Sequence, residues 1–304
     1  MRASVQPGLM QNNMKYSILA PAKINLFLDV LSKREDGYHE IKSVMQSVSI
    51  YDKISLEIQK SISISIRLNG SNPSLKWDES NLVYKACALF LKVSGIDGYS
   101  FDFYIEKNIP ICAGMAGGST DAAGVLLLLN QAFDNRFSID ELCAMGSKLG
   151  ADVAFCIRGG TCLCEGVGEI LTPLSPLDGM YLVCAIDSSS VSTPQAYSLL
   201  DERYGTDFHE SADLGSFLTS VENKDLSSIC SHLFNKFESV IAPLNENINR
   251  IKDLLVKNGA LGALMSGSGP SVFGIFENEI DQKNALFALQ KEKITAFSCK
   301  SLGF

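Results

Sequence analysis

The 304 residues are 46% hydrophobic and 20% charged, and the 24 Gly and 9 Pro are spread along the chain. That composition excludes collagen, coiled coil and a disordered chain, and the length suits about two globular domains. Lys and Arg number 26 against 34 Asp and Glu, and the net charge of -8 has the wrong sign for general binding along a nucleic-acid backbone.

The opening MRASVQPGLMQNN holds one Arg and lacks the apolar core of a secretory signal, so residues 1–13 are expected to be a disordered tail, with Met14 an alternative start. Apolar runs such as Val125 to Leu129 are far short of the roughly 18 residues that cross a bilayer, so neither membrane nor nucleic acid is an expected partner. Ala20 to Leu28 reads as a strand that puts Lys23 and Asn25 on one face. Asp36-Gly37-Tyr38-His39 reads as a turn. Ile62, Ile64, Ile66 and Leu68 alternate with polar residues, as do Tyr99, Phe101, Phe103 and Ile105, and both runs are expected as half-buried strands. Between them Leu82, Val83, Ala86, Leu89, Phe90 and Val93 follow helical spacing behind Ser80 and Asn81, which can cap. Ser138 and Glu141 form a capping box for a helix closed by Gly150.

Past Gly160 come a strand-like TCLCE, the punctuated stretch EGVGEILTPLSPLDG, read as a domain boundary, and the strand MYLVCAI. Helices are expected at about 194–204, 212–221, 225–237 and 245–258, then strand ALGALM, a Gly/Ser loop, strand SVFGIF, helix DQKNALFALQKE and a last strand. Helices and strands mix without a regular β-α-β beat, which predicts an α+β fold, with domains at 14–165 and 175–304. The nine cysteines contain no CxxC pair, and His39, His209 and His232 share no ligand spacing with them; reduced thiols in a cytoplasm and no protein-held metal are expected.

The segment Ile109 to Ala123, IPICAGMAGGSTDAA, follows an expected strand and runs into the apolar helix GVLLLLN. Small residues there let an anion approach free N–H groups at a helix N-terminus, and Ser119 and Thr120 add hydroxyls suited to phosphate or magnesium. No Gly-Lys-Ser/Thr follows and Gly114, Gly117 and Gly118 do not make GxGxxG, so a close-packed strand-to-helix turn remains the alternative. A second loop, Ser266 to Ser271, alone reads as a hairpin turn; two such loops can also clamp one ligand.

Lys23 in an apolar run either meets an anion or carries its ammonium out at a strand end. Asp152, heading LGADVAFCI, is either a helix cap or a positioned base. Tyr38 and His39 are either a solvated turn or a stacking face and hydrogen-bonding edge for a flat ring. Phosphoryl transfer to an alcohol needs a proton acceptor, cations and an anchored nucleotide, and Asp152, Lys23 and the glycine loop supply one of each.

The ordered segments APAKINLFLDV, EDGYHEI, IPICAGMAGGSTDAA, LGADVAF, EGVGEIL and LMSGSGPSVFGIF resemble the superfamily of galactokinase, homoserine kinase, mevalonate kinase and phosphomevalonate kinase, over nearly the whole chain from about Met14. The two loops mark only the superfamily, whereas PAKINLFL, DGYH and GADVAF resemble its branch acting on a cytidyl-linked sugar alcohol. The resemblance implies a two-lobed α+β kinase with the active site between an N-terminal ATP-binding lobe and a C-terminal lobe. It implies transfer of the γ-phosphoryl of ATP to the 2-hydroxyl of 4-diphosphocytidyl-2-C-methyl-D-erythritol, in non-mevalonate isoprenoid synthesis. ATP would be held by Pro110, Ile111, Cys112, Ala113, Gly114 and Met115, then Ala116, Gly117, Gly118, Ser119 and Thr120. Asp152 matches the family's base and Lys23 its partner, while Asn25 lines the same pocket. Tyr38 and His39 match the residues that stack on and hydrogen-bond the cytosine, and Thr193 and Tyr197 the opposite wall.

Cys112 and Ala116 stand where the family often has glycine and Met115 where it has leucine; small or apolar residues are tolerated there if φ is negative. Tyr197, replacing a phenylalanine, should still stack. No Glu has a metal role by sequence, so Mg2+ is expected to arrive with ATP, held mainly by phosphates with a loop hydroxyl. A cytoplasmic monomer or homodimer acting on a small molecule is expected. The alternatives are a kinase of the same superfamily acting on another alcohol and a silent nucleotide or sugar sensor.

Overall fold

The computed structural model describes residues 4–6, 13–187, 191–205, 208 and 212–304. Residues 1–3 and 7–12 of the expected tail, and His209, lie outside the described residues. In chain order come strands β1 (Ser4–Gln6), β2 (Asn13–Lys33), β3 (His39–Lys60) and β4 (Ser65–Gly70), helix α1 (Leu82–Ser94), strand β5 (Tyr99–Glu106), and helices α2 (Gly117–Ala132), α3 (Ile139–Gly146) and α4 (Ala151–Arg158). Then follow β6 (Thr161–Glu165), β7 (Ile170–Pro173), β8 (Tyr181–Ile186), α5 (Thr193–Tyr204), α6 (Leu214–Glu222) and α7 (Leu226–Ser231). The chain ends with β9 (Phe234–Asn235), α8 (Glu238–Ile241), a 3-10 turn (Ala242–Leu244), α9 (Glu246–Lys257), β10 (Gly262–Met265), β11 (Ser271–Phe276), α10 (Glu279–Lys291) and β12 (Thr295–Lys300).

Two units divide the chain, neither continuous in sequence: Met1–Ala22, Ile50–Ile111 and Ala116–Arg158 in the first, Lys23–Ser49, Cys112–Met115 and Gly159–Phe304 in the second. The stretch from Glu165 to Gly179 belongs to the second and contributes β7.

In the first unit β1 pairs antiparallel with β2, Ser4 opposite Ser17. β5 lies between β3, antiparallel with Leu56 opposite Phe103, and β4, parallel with Ser65 opposite Ser100. The alternation of Tyr99 to Ile105 buries Phe101, Phe103 and Ile105 as expected. The alternation of Ile62 and Ile64 misleads, because β4 begins only at Ser65: β5 starts at Tyr99 and offers no partner further back, so Ile62 is wholly exposed. Helix α1 starts where Asn81 accepts the N–H of Val83 and stops at Gly95, whose φ of 68° suits glycine. Helix α2 buries Val125, Leu126, Leu128 and Leu129, each worth roughly 1.5–3 kcal/mol. It lies so close to β3 that a Cβ on Gly124 would stand 2.4 Å from Ile54 Cδ1. Ser138 and Glu141 form the expected capping box, but α3 ends at Gly146; a turn through Gly150 separates it from α4.

In the second unit Arg34 N–H donates to Tyr38 O at 2.7 Å, closing the turn from β2 into β3. β3 pairs with β6, Ser43 opposite Cys164, and β6 with β7. A second sheet has the antiparallel order β10-β11-β8-β12, and α9 and α10 pack on it. Its core joins Val183, Ala185, Ile251, Leu255, Phe276 and Leu289. The helix expected at 225–237 stops at Ser231, because Phe234 and Asn235 pair in parallel with Phe27 and Leu28.

Candidate active site

The glycine-loop chain twists through three left-handed residues: Cys112 at φ 56°, Gly114 at 69° and Ala116 at 58°. The condition of negative φ under which residues at 112 and 116 would be tolerated freely is not met, and each Cβ held there costs roughly 1–2 kcal/mol. Thr120 N–H makes the first bond of α2, to Ala116 O at 2.9 Å, so the N–H groups of Gly117, Gly118 and Ser119 have no acceptor within the helix. These donors and the helix dipole suit an anion. Of the two loop hydroxyls, that of Thr120 is buried and donates to Pro21 O at 2.7 Å, so it fastens the turn; Ser119 is half-buried and makes no side-chain hydrogen bond among the described residues.

In the second unit the Cys112–Met115 segment packs against the second Gly/Ser loop. A Cβ on Gly114 would stand 2.3 Å from Ser266 O. Ser266 Oγ donates to Gly114 O at 3.3 Å and accepts Asn25 N–H at 3.2 Å, and Lys23 N–H donates to Met115 O at 3.2 Å. Asn235 fixes the far loop by donating to Met265 O and Gly267 O at 2.7 and 2.9 Å. The hairpin reading of Ser266 to Ser271 is thus incomplete, since its backbone is the seat of the first loop. Ser266 was legible as part of a Gly/Ser run, whereas nothing local marks Asn235.

Lys23 is 4% exposed, which removes the reading in which its ammonium leaves a strand end. Its Nζ donates to Asn25 Oδ1 at 2.8 Å, Asn25 Nδ2 to Ser43 Oγ at 2.8 Å, and Ser43 Oγ to Phe27 O at 2.8 Å. The chain of bonds fixes the amide and aims its carbonyl at the ammonium. Asp152 is the second residue of α4, past the cap position, and half-buried in the first turn.

His39 is buried and stacks on Tyr197, ring centroids 4.4 Å apart at 20°. Its Nε2 lies 2.8 Å from Asp201 Oδ1, and Lys33 Nζ donates to Asp201 Oδ2 at 2.5 Å. Burial pulls the Asp201 carboxyl up, but the hydrogen bonds from Lys33 and His39 outweigh it and hold the group below its ordinary value. Tyr197 and Asp201 sit four apart on α5 and so share a face, a spacing that could have exposed Asp201 in the sequence. Tyr38 is 65% exposed and makes no ring contact among the described residues. Thr193, first in α5 behind the cap Ser192, lies with Oγ1 3.1 Å from Ser268 Oγ.

Among the described residues no group of three His, Cys, Asp or Glu could hold a metal ion, and no helix is long and apolar enough to cross a membrane. The donor set fits a magnesium ion held chiefly by a nucleotide's own phosphates, with the Ser119 hydroxyl as the loop's contribution.

The chain resembles known proteins over most of its length. The GHMP kinases N terminal domain matches residues 81–160 and the GHMP kinases C terminal domain residues 217–295. The chain is 42% identical over 267 residues to 4-diphosphocytidyl-2-C-methyl-D-erythritol kinase of Clostridium perfringens (strain 13 / Type A), covering 88% of this chain and 90% of that protein. It is 41% identical over 288 residues to the kinase of the same name from Caldicellulosiruptor bescii, covering 94% and 99%. A crystal structure of 4-(cytidine 5'-diphospho)-2C-methyl-D-erythritol kinase superposes with a TM-score of 0.79 at 30% identity, over 95% of this chain and all of that one.

Proposed function

We propose, for a chain that belongs to the GHMP kinases and within them to the 4-diphosphocytidyl-2-C-methyl-D-erythritol kinases, a division of catalytic labour among its own residues. As a kinase of this family it uses ATP to phosphorylate 4-diphosphocytidyl-2-C-methyl-D-erythritol in isoprenoid biosynthesis. The hydroxyl at position 2 is the acceptor. Its oxygen bonds to the γ-phosphorus, the bond from that phosphorus to the β,γ-bridging oxygen breaks, and the electron pair leaves with ADP. The Asp152 carboxylate receives the hydroxyl proton, and the Lys23 ammonium, aligned by Asn25, stabilises the charge gathering on the transferring group.

One observation carries this reading. Lys23, a buried cation, is hydrogen-bonded through its backbone to Met115 of the glycine loop, so a positive charge is built into the loop's own support. The loop from Pro110 to Thr120 holds the triphosphate through its N–H groups. Magnesium, arriving with the nucleotide, would neutralise phosphate charge, and the Ser119 hydroxyl fits it. Tyr38 stacks on the cytosine; His39, which the resemblance set beside Tyr38, stacks instead on Tyr197 and is assigned with it and Thr193 to the opposite wall. The nine free cysteines, eight of them buried, support a reducing cytoplasm, where the enzyme acts as a monomer or homodimer.

The test is phosphoryl transfer from ATP with Mg2+ to 4-diphosphocytidyl-2-C-methyl-D-erythritol, homoserine, mevalonate and galactose in parallel. Turnover of the cytidyl compound alone is expected. Turnover of another acceptor would reject the nucleobase wall, and ATP binding without any turnover would favour a sensor.

A further inference from the structure

Three charged side chains of the first unit are buried together and the phosphoryl-transfer chemistry does not use them. The side chain of Lys107, the first residue past β5, is 4% exposed. Its ammonium bridges Asp52 on β3 and Asp121 on α2, the latter at 2.6 Å, and donates to Gly117 O at 3.3 Å. Asp52 is wholly buried, and its Oδ1 accepts the N–H groups of Asn108 at 2.6 Å and Ile109 at 2.8 Å. The cluster therefore grips the chain where it enters the glycine loop, at 107–109, and again where it leaves, at Gly117 and Asp121, and fastens both ends to one strand. Among the described residues Asp121 Oδ1 is buried without a hydrogen-bond partner, and burial drives that carboxyl upward against the pull of the Lys107 ammonium.

Such a grip answers a need of the loop itself. Cys112, Gly114 and Ala116 all have left-handed φ, and strained backbone persists only where its surroundings over-determine it. Charge-assisted bonds are the strong ones, and they sit at the two ends of the strained stretch.

We propose that Asp52, Lys107 and Asp121 are positioning residues that hold the two ends of the glycine loop at the spacing nucleotide binding requires. The proposal rests on the reading of that loop as the phosphate site. It assigns these residues no contact with substrate; they act through the loop backbone.

The test uses the full chain and four proteins: wild type, Lys107→Met, Asp121→Asn and Gly118→Asp, each checked for folding by circular dichroism and melting. Gly118 is exposed, and a Cβ there meets nothing nearer than Leu82 Cδ1 at 3.8 Å, so Gly118→Asp sets a negative charge among the loop N–H groups without crowding. It is expected to weaken ATP binding. Lys107→Met is expected to raise the Kd and KM for ATP about tenfold or more while the KM for the cytidyl substrate stays unchanged. Asp121→Asn, which keeps the Lys107–Asp52 pair and serves should Lys107→Met fail to fold, is expected to raise both ATP constants about threefold or more. If Gly118→Asp weakens ATP binding while folded Lys107→Met and Asp121→Asn bind ATP as wild type does, the clamp is refuted and the loop reading stands. Equal losses toward both substrates would make the cluster merely structural and refute it too. If Gly118→Asp binds ATP normally, the loop reading itself fails and the clamp with it.

Discussion

His39 Nε2 and Asp201 Oδ1 lie 2.8 Å apart, joining the end of the β2–β3 turn to the middle of α5. An ionised carboxylate only accepts, so Nε2 carries the hydrogen and the ring cannot rotate without breaking the bond. Tyr197 on one face of that ring and the Asp201 carboxylate at its edge together fix the wall assigned to the cytosine. Asp201→Asn is therefore expected to raise the KM for the cytidyl substrate about tenfold with the KM for ATP unchanged. A second readout follows from acidity. Asp201 is held below its ordinary 3.8, so its stabilisation is fully present above that value and is lost as pH falls through the lowered one. The melting difference between wild type and Asp201→Asn should shrink as pH falls below about 4. A difference that grows in acid would contradict the assignment.

Asp152 stands half-buried in the first turn of an eight-residue helix. Asp152→Asn keeps the shape and removes the basicity. Turnover is expected to fall by about 10²–10⁴ with ATP affinity preserved, measured by single-turnover transfer and by nucleotide titration. Near-normal turnover in the variant would take the proton-accepting role away from this residue.

What could be read from the sequence was whatever local chemistry encodes. A run of small residues between a strand and a helix announces itself, as does a lysine inside an apolar run; both lie where expected, and the structure adds that Lys23 and Met115 share a hydrogen bond. The alternation at Ile62 and Ile64 shows the limit, because period-2 spacing describes a side-chain face and says nothing about whether a partner strand reaches that far. The two-residue strand at Phe234 was invisible for the opposite reason: its position depends on Asn235 reaching carbonyls thirty residues away. Lys107 and Asp52, 55 residues apart, look like ordinary surface charges until the fold buries them together.

The left-handed φ at Cys112 and Ala116 carries a stability consequence of definite sign. Glycine removes the Cβ conflict, worth roughly 1–2 kcal/mol, and gives back about 0.4–1 kcal/mol through the freer unfolded chain. Cys112→Gly and Ala116→Gly should each stabilise the protein by about 0.5 kcal/mol, read as a small upward shift in melting temperature. A downward shift in either variant would mean that its φ is not left-handed in solution.

Gly114 predicts the reverse, and for two reasons at once. Its φ of 69° penalises any side chain, and the first atom of that side chain would lie 2.3 Å from Ser266 O, a backbone atom held in turn by the Asn235 and Ser271 bonds around it. Neither loop can retreat cheaply, so Gly114→Ala should cost more than about 2 kcal/mol. Gly118→Ala is the control: its φ is not left-handed, space is open, and alanine favours the first helical turn, so stability should hold or rise slightly. Melting curves for the pair decide the matter. Equal melting of the two variants would mean that the Gly114–Ser266 contact opens at little cost, and that the second loop does not seat the first.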